Sequence, residues 1–178
     1  MFKKLIFFLF LITSITGFSQ EPKQNNELTK VTFKIKNFGI HVDGDFSEIK
    51  IETNFNTKNL QESYLNASIA VLSISTGNNS RDKHILKEDY FDESNHKNII
   101  LTSTKIAENV DGSFKMFADL TMKGITRKIE APIEVVEKGS AITIKSNFNI
   151  NRRDYKIGGG SFILSKTVKI QVEYSGTK

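Results

Sequence analysis

The feature that most constrains this chain is a two-residue alternation of apolar and polar side chains, repeated in separate segments after the first twenty residues. In the segment "TVKIQVEY", one face carries Val168, Ile170, Val172 and Tyr174, and the other carries lysine, glutamine and glutamate. This period is typical of half-buried β-strands. The 178 residues include only two prolines, and no long helical pattern follows the first segment. The sequence therefore predicts an all-β protein.

The turn residues predict that neighbouring strands are antiparallel. Asp111 and Gly112 separate two alternating segments and favour a tight hairpin, and Lys123–Gly124 and Lys138–Gly139 mark the next two reversals. Residues 99–150 are thus expected to form a four-stranded meander, and Asp43–Gly44 a bulge or tight turn. Seven or eight strands are expected in all. Closure into a barrel would leave no strand edge exposed, and a sandwich of two sheets is the alternative.

The first nineteen residues have the layout of a secretory signal peptide. Lys3 and Lys4 precede an apolar run over residues 5–15, and small residues follow. The run is too short for a stable membrane span, although a short membrane anchor is the alternative. We expect cleavage after Ser19, a periplasmic or secreted location, a flexible segment over residues 20–28 and one domain over residues 29–178.

Composition excludes several classes of function. The chain has no cysteine, which excludes disulfides, thiol catalysis and zinc–thiolate sites. The formal net charge is +5, but basic and acidic residues are interspersed rather than gathered in a basic stripe. Nucleic-acid binding is therefore not favoured.

Catalytic and metal-binding motifs are also missing from the sequence. The histidines, His41, His84 and His96, have no ligand spacing, and no GxSxG motif occurs. The glycines at 158–160 lack the Lys–Ser/Thr of a phosphate-binding loop. We expect no catalytic residue, no metal and no cofactor. Arg152 and Arg153 could hold an anion, pair with Asp154 or cover apolar surface.

Four segments, in order, resemble the YceI-like family. They are "VTFKIKNFGIHVDGDF", "ASIAVLSISTGNNSRDKHILKEDYFD", "ADLTMKGITRKIEAPIEV" and "INRRDYKI". The most specific residues are Thr76, Gly77, Arg81, Asp82, Leu86, Tyr90, Phe91 and Asp92, followed by Leu120, Thr121, Gly124 and Thr126. The resemblance implies an eight-stranded antiparallel, lipocalin-like barrel whose apolar tunnel binds a long amphiphile, typically a polyisoprenoid. It also implies export to the periplasm and a binding protein rather than an enzyme.

An isoprenoid or other long-chain lipid would then lie against inward-facing residues of the barrel. The expected tunnel lining comprises Phe114, Met116, Leu120, Ile129, Ile142, Ile144, Phe148, Ile170 and Val172. Arg152 and Arg153 are the candidates for holding the head group. A barrel of this size can also be filled by its own side chains. The alternative function is therefore an envelope protein-interaction or stress-related module without lipid, and exposed strand edges would permit a homodimer.

The charged stretch over residues 75–92 is expected to be structural. A short helical segment is predicted near residues 79–91, with Asn79 as its N-cap and Asp82 three residues further on. Arg81 and Asp82 are expected to fix this loop through hydrogen bonds or an ion pair.

Overall fold

The computed structural model describes residues 21–178, in which eleven strands form one antiparallel sheet. Their bounds are β1 Lys23–Gln24, β2 Lys30–Asn37, β3 Ile40–Phe46, β4 Ile49–Thr53, β5 Leu65–Ala70, β6 Ile74–Ser75, β7 Asn98–Glu108, β8 Phe114–Met122, β9 Ile125–Lys138, β10 Ala141–Asn151 and β11 Leu164–Thr177. One α-helix, α1, spans Asn79–Ile85, and short 3-10 turns lie at Val71–Ser73 and Arg152–Tyr155. The predicted all-β, antiparallel fold is confirmed.

The sheet closes on itself at two strands that are each interrupted once. The strand order is β4-β5-β7-β8-β9-β10-β11-β2-β3-β6. Only Ser47 and Glu48 separate β3 from β4, which lie near opposite ends of that order, and the Val71–Ser73 turn separates β5 from β6. Hydrogen bonds hold the breaks together, from Ala70 N to Glu48 O at 3.0 Å and from Ser47 N to Ser73 O at 3.2 Å. Counted without their interruptions, these strands give the predicted eight-stranded barrel, and β1 is an addition to β11.

The alternating side chains fill the barrel as the period predicts. In β8, Met116, Ala118, Leu120 and Met122 are buried at every second position. Gly44 departs from its predicted turn, because it lies inside β3 opposite Phe33. A Cβ at Gly44 would lie 2.3 Å from the Phe33 ring, so glycine is required there to give the ring room.

The strands define two ends of the barrel. At the helix end lie the β2–β3 turn, the segment 76–97 with α1, the Lys123–Gly124 turn and the segment 152–163. At the opposite end lie residues 21–29, 54–64, 109–113 and 139–140. Phe55 closes part of this opposite end, with its ring 5.4 Å from that of Phe114 in an edge-to-face arrangement.

The segment predicted to be flexible, residues 20–28, makes contacts with the barrel in the part that the structure describes. Lys23 and Gln24 pair with the end of β11, and the Gln24 side chain bonds the backbone of Ile49 and Ile51 at 2.8 and 2.6 Å. The Tyr174 hydroxyl donates to the buried Pro22 carbonyl at 3.0 Å. These contacts use backbone and amide groups, which an apolar pattern does not reveal. The domain thus begins before residue 29, whereas the predicted signal peptide lies outside the described residues.

The predicted helical segment is present but shorter than expected. Helix α1 ends at Ile85, and turns follow through residue 91. Its N-cap is Asn78 rather than the predicted Asn79, because the extended Asn78 accepts a 3.0 Å hydrogen bond from Arg81 N. Within residues 21–178, no helix has the length and apolar character needed to cross a membrane.

Candidate functional site

Two neighbouring apolar cavities occupy the barrel interior. The helix-end cavity has a volume of about 230 Å³ and lies beneath α1. The central cavity has a volume of about 90 Å³ and lies deeper among the strands. Both are bordered by Phe46, Ile99, Met122, Ile150 and Ile170. Because these five side chains line both spaces, the two cavities are adjacent to one another along the barrel.

Six of the nine residues predicted to line a tunnel border these cavities. They are Met116, Leu120, Ile144, Phe148 and Val172 in the central cavity, and Ile170 in both. The other three do not. Phe114 packs on Phe55 at the opposite end, and Ile142 is fully buried near the ends of β10 and β11. Ile129 borders a separate surface groove beside Phe117. Binding by the six remains a prediction.

The helix-end cavity also has lining residues that were not predicted. Phe33, Ile35 and Val168 belong to the inward faces of β2 and β11, so their alternation was the available signal. Ile85, Tyr90 and Phe91 come instead from α1 and the turns after it. No strand period applies to these three, and only the fold shows that they form the roof of the cavity.

A hydrogen-bonded clasp centred on Thr76 fixes this roof. Arg81 Nε donates to Thr76 Oγ1, and Arg81 Nη2 donates to the Thr76 carbonyl, both at 2.7 Å. Asp82 Oδ1 accepts from Thr76 N at 3.0 Å and also from the Thr76 hydroxyl. The hydrogen bonds expected of Arg81 and Asp82 are therefore present, and both side chains hold the same residue.

Arg152 is buried and bound to the backbone of the loop that follows it. Its side chain is only 2% exposed, and burial together with nearby Arg153 lowers the pKa of its guanidinium. Its donors reach the carbonyls of Ile157, Gly159, Ser161, Leu164 and Ser165. These five carbonyl acceptors match the five N–H groups of a guanidinium, so Arg152 has no N–H donor left for a ligand. The head-group role predicted for Arg152 is thus not supported.

Arg153, unlike the buried Arg152, has a side chain that solvent and a ligand can reach. It is exposed, and its Nη2 donates to the Ser161 carbonyl at 2.8 Å. Its head-group role stays a prediction. The polar side chains that border the helix-end cavity are Asn37, Thr76, Arg81, His84 and Arg152.

The central cavity has no reactive polar group on its wall. The Ser146 hydroxyl donates to the Pro132 carbonyl at 2.7 Å, and the Tyr174 hydroxyl is bound to Pro22. Burial raises the pKa of Tyr174, which keeps the phenol neutral. Within residues 21–178, no group of three His, Cys, Asp or Glu side chains lies close enough to hold a metal ion. The arrangement suits an apolar chain inside the barrel with polar atoms at the helix end.

Several known proteins share this architecture. BcnA of Burkholderia cenocepacia superposes with a TM-score of 0.82 over 87% of this chain and 100% of that protein, at 21% identity. A YceI protein of Campylobacter jejuni gives a TM-score of 0.69 over 77% and 85% of the two chains, at 24% identity. A polyisoprenoid-binding domain from Saccharophagus degradans, implicated in plant cell wall breakdown, gives 0.69 over 89% and 98%, at 14% identity. At these identities the likeness shows the fold.

Sequence relatives agree with the fold. A UPF0312 protein of Vibrio campbellii is 28% identical over 111 residues, which are 62% of this chain and 59% of the relative. A UPF0312 protein of Ectopseudomonas mendocina is 26% identical over 110 residues, 61% of this chain and 58% of the relative. The chain thus aligns with about three-fifths of the length of these relatives. A family model described as the YceI-like domain matches residues 23–175. The chain therefore belongs to the YceI-like family.

Proposed function

We propose that the protein is an exported binding protein that holds a long amphiphilic lipid, in particular a polyisoprenoid, inside its barrel. The observation that carries this proposal is the pair of adjacent apolar cavities in the barrel interior, which share five lining side chains. Their volumes, about 230 and 90 Å³, together reach the lower end of the roughly 300–1,000 Å³ of ligand pockets. The signal-peptide pattern of residues 1–19 supports export to the periplasm.

The chemistry of the wall favours a hydrocarbon chain over a polar substrate. Burying the chain would contribute about 25 cal/mol per Å² of apolar surface before ordering costs. The head group would remain at the helix end, where Asn37 and His84 border the cavity and Arg153 is exposed nearby. No reaction is needed for this role, so we propose binding rather than catalysis. The shared fold of the polyisoprenoid-binding domain from Saccharophagus degradans supports the choice of ligand.

In the alternative, the barrel is filled by its own side chains and acts only through its surface. The two apolar cavities count against that alternative, because bulky inner side chains should leave little space between them.

The proposal is tested by filling the central cavity. Ala67 is half-buried on the inner face of β5 and borders this cavity. Ala67→Phe places a ring in the central cavity, and Val172→Phe is a second variant that fills this cavity. The matched control is Ala107→Phe, because Ala107 lies in β7 next to the buried Ile106 and borders neither cavity. The measurement is the uptake of a radiolabelled polyprenyl phosphate by protein from which lipid has been extracted.

We expect the parent and the Ala107→Phe variant to take up the probe. Both filling variants should take up only a small fraction of the amount bound by the parent. Melting temperatures establish that each variant is folded. Equal uptake by the parent and the folded filling variants would contradict a lipid inside the barrel.

A further inference from the structure

At the helix end, two loops present large apolar side chains to solvent. Phe38 in the β2–β3 turn and Ile40 at the start of β3 are each 71% exposed. In the loop before β11, Phe162 is fully exposed and Ile163 is 48% exposed. Phe38 N donates to the Ile163 carbonyl at 2.9 Å, which holds the two loops side by side. These four residues form one surface, here called the apolar rim.

The apolar rim borders the mouth of the helix-end cavity. Asn37 and Leu164 pair with one another between β2 and β11, and both line that cavity. Phe38 directly follows Asn37, and Ile163 directly precedes Leu164. Anything that contacts the rim is therefore next to the space in which a ligand would lie.

Phe38 adopts an unfavourable backbone conformation. It has a φ of 51°, and Gly39 after it has a φ of 79°, so the two form a hairpin turn that favours asparagine or glycine. A bulky residue in this left-handed conformation is strained. Its ring is mostly exposed and gains little packing in return. A strained, exposed phenylalanine in a turn that favours asparagine or glycine indicates that its ring contacts another molecule.

Basic side chains surround the rim. Lys36 precedes Asn37, Lys166 lies two residues after Leu164, and Arg153 bonds the loop at Ser161; all three are exposed. None of them is in an ion pair with another residue of 21–178. Of the acids at this end, Asp154 accepts from Asn151 and Asp43 is paired with Lys34, whereas Glu88 and Asp89 lie beside Gly158 and Gly159 at the start of the loop. The rim thus combines exposed aromatic and aliphatic tips with unpaired positive charge.

We propose that the apolar rim docks on the surface of an anionic phospholipid bilayer and turns the mouth of the cavity toward the lipid. Apolar tips with flanking basic residues are the combination that binds such an interface, through insertion and attraction to anionic head groups. Docking goes beyond the proposed function, because it can occur whether or not a lipid occupies the barrel.

The natural chain contains no tryptophan, which permits a single-tryptophan test. Phe162→Trp places the reporter in the rim, and Val110→Trp places it at a fully exposed apolar position of the opposite end. Each variant, in the form expected after cleavage at Ser19, is titrated with phosphatidylglycerol vesicles and with phosphatidylcholine vesicles. We expect the tryptophan emission of the Phe162→Trp variant to shift to the blue with phosphatidylglycerol and less with phosphatidylcholine, and that of the Val110→Trp variant not to shift. Adding Phe38→Asn to the Phe162→Trp variant should weaken vesicle binding about tenfold or more.

Phe38→Asn should leave the protein folded, because asparagine suits the turn. Three results would overturn docking by the rim: no shift for Phe162→Trp, equal shifts for both reporters, or vesicle binding unchanged by Phe38→Asn. A fourth would be a dimer in light scattering that Phe38→Asn converts to monomer, since the rim would then bind a second copy of the chain.

Discussion

Removing the Arg152 side chain should destabilise the barrel far more than removing that of its neighbour Arg153. Arg152→Ala deletes a buried guanidinium that donates five hydrogen bonds, four of them at 2.6–2.9 Å. Hydrogen bonds to charged groups contribute about 1.5–3 kcal/mol each, but freed carbonyls near the surface regain water, so we expect a loss of about 3–5 kcal/mol. Arg152→Lys should fall in between, because an ammonium has three donors for five acceptors.

The matched control is Arg153→Ala, which removes one 2.8 Å hydrogen bond from an exposed side chain and should cost less than about 1 kcal/mol. The assay is urea unfolding followed by far-UV circular dichroism, with the free energy of unfolding extrapolated to water. Equal losses for the two alanine variants would refute the structural role of Arg152. Unchanged stability with lost lipid binding would return Arg152 to the head-group role predicted from the sequence.

Three further changes test the helix end and the alkaline stability. Arg81→Ala breaks the clasp on Thr76 and should lower the melting temperature by several degrees while weakening lipid binding less; the reverse order would place Arg81 in the ligand site. Asn78→Ala should cost about 1 kcal/mol in urea unfolding as the loss of an N-cap, and Asn79→Ala close to nothing, so a larger effect at Asn79 would contradict the observed cap. Burial raises the pKa of Tyr155 from its ordinary 10 to about 12, so its contribution to stability is complete below pH 10 and is lost as the pH rises through 12. A pH series of unfolding free energies should therefore fall less steeply for Tyr155→Phe than for the parent, and identical slopes would refute this assignment.

The sequence was sufficient for the wall of the barrel. The two-residue period identifies the inner faces of β8, β10 and β11 directly, because the inward side chains there are buried or half-buried and, apart from Ser146, mostly apolar. The turn at Lys123–Gly124 was predicted from the glycine between two alternating segments. In the structure both residues have the positive φ that such a turn requires. Side-chain alternation and turn residues are local features of the sequence, and the antiparallel order of neighbouring strands could be predicted from them.

The ends of the barrel could not be predicted in the same way. The Phe114 ring follows the inward period but reaches the end, where Phe55 from a distant segment meets it. The role of Arg152 depends on five carbonyls of a loop that has no regular pattern. Lys23 and Gln24 join β11 through backbone pairing, although the segment around them is mostly polar. In each case the deciding contact joins segments whose proximity the local pattern does not encode.

The most direct test of a lipid-holding barrel is native mass spectrometry of the protein isolated from its own host under mild conditions, without refolding. We expect a mass that exceeds the protein by one long-chain lipid and that falls to the protein mass on extraction with organic solvent. The added mass should be absent from Ala67→Phe. A population with the protein mass alone, which takes up no added polyprenyl lipid, would contradict a lipid-holding barrel.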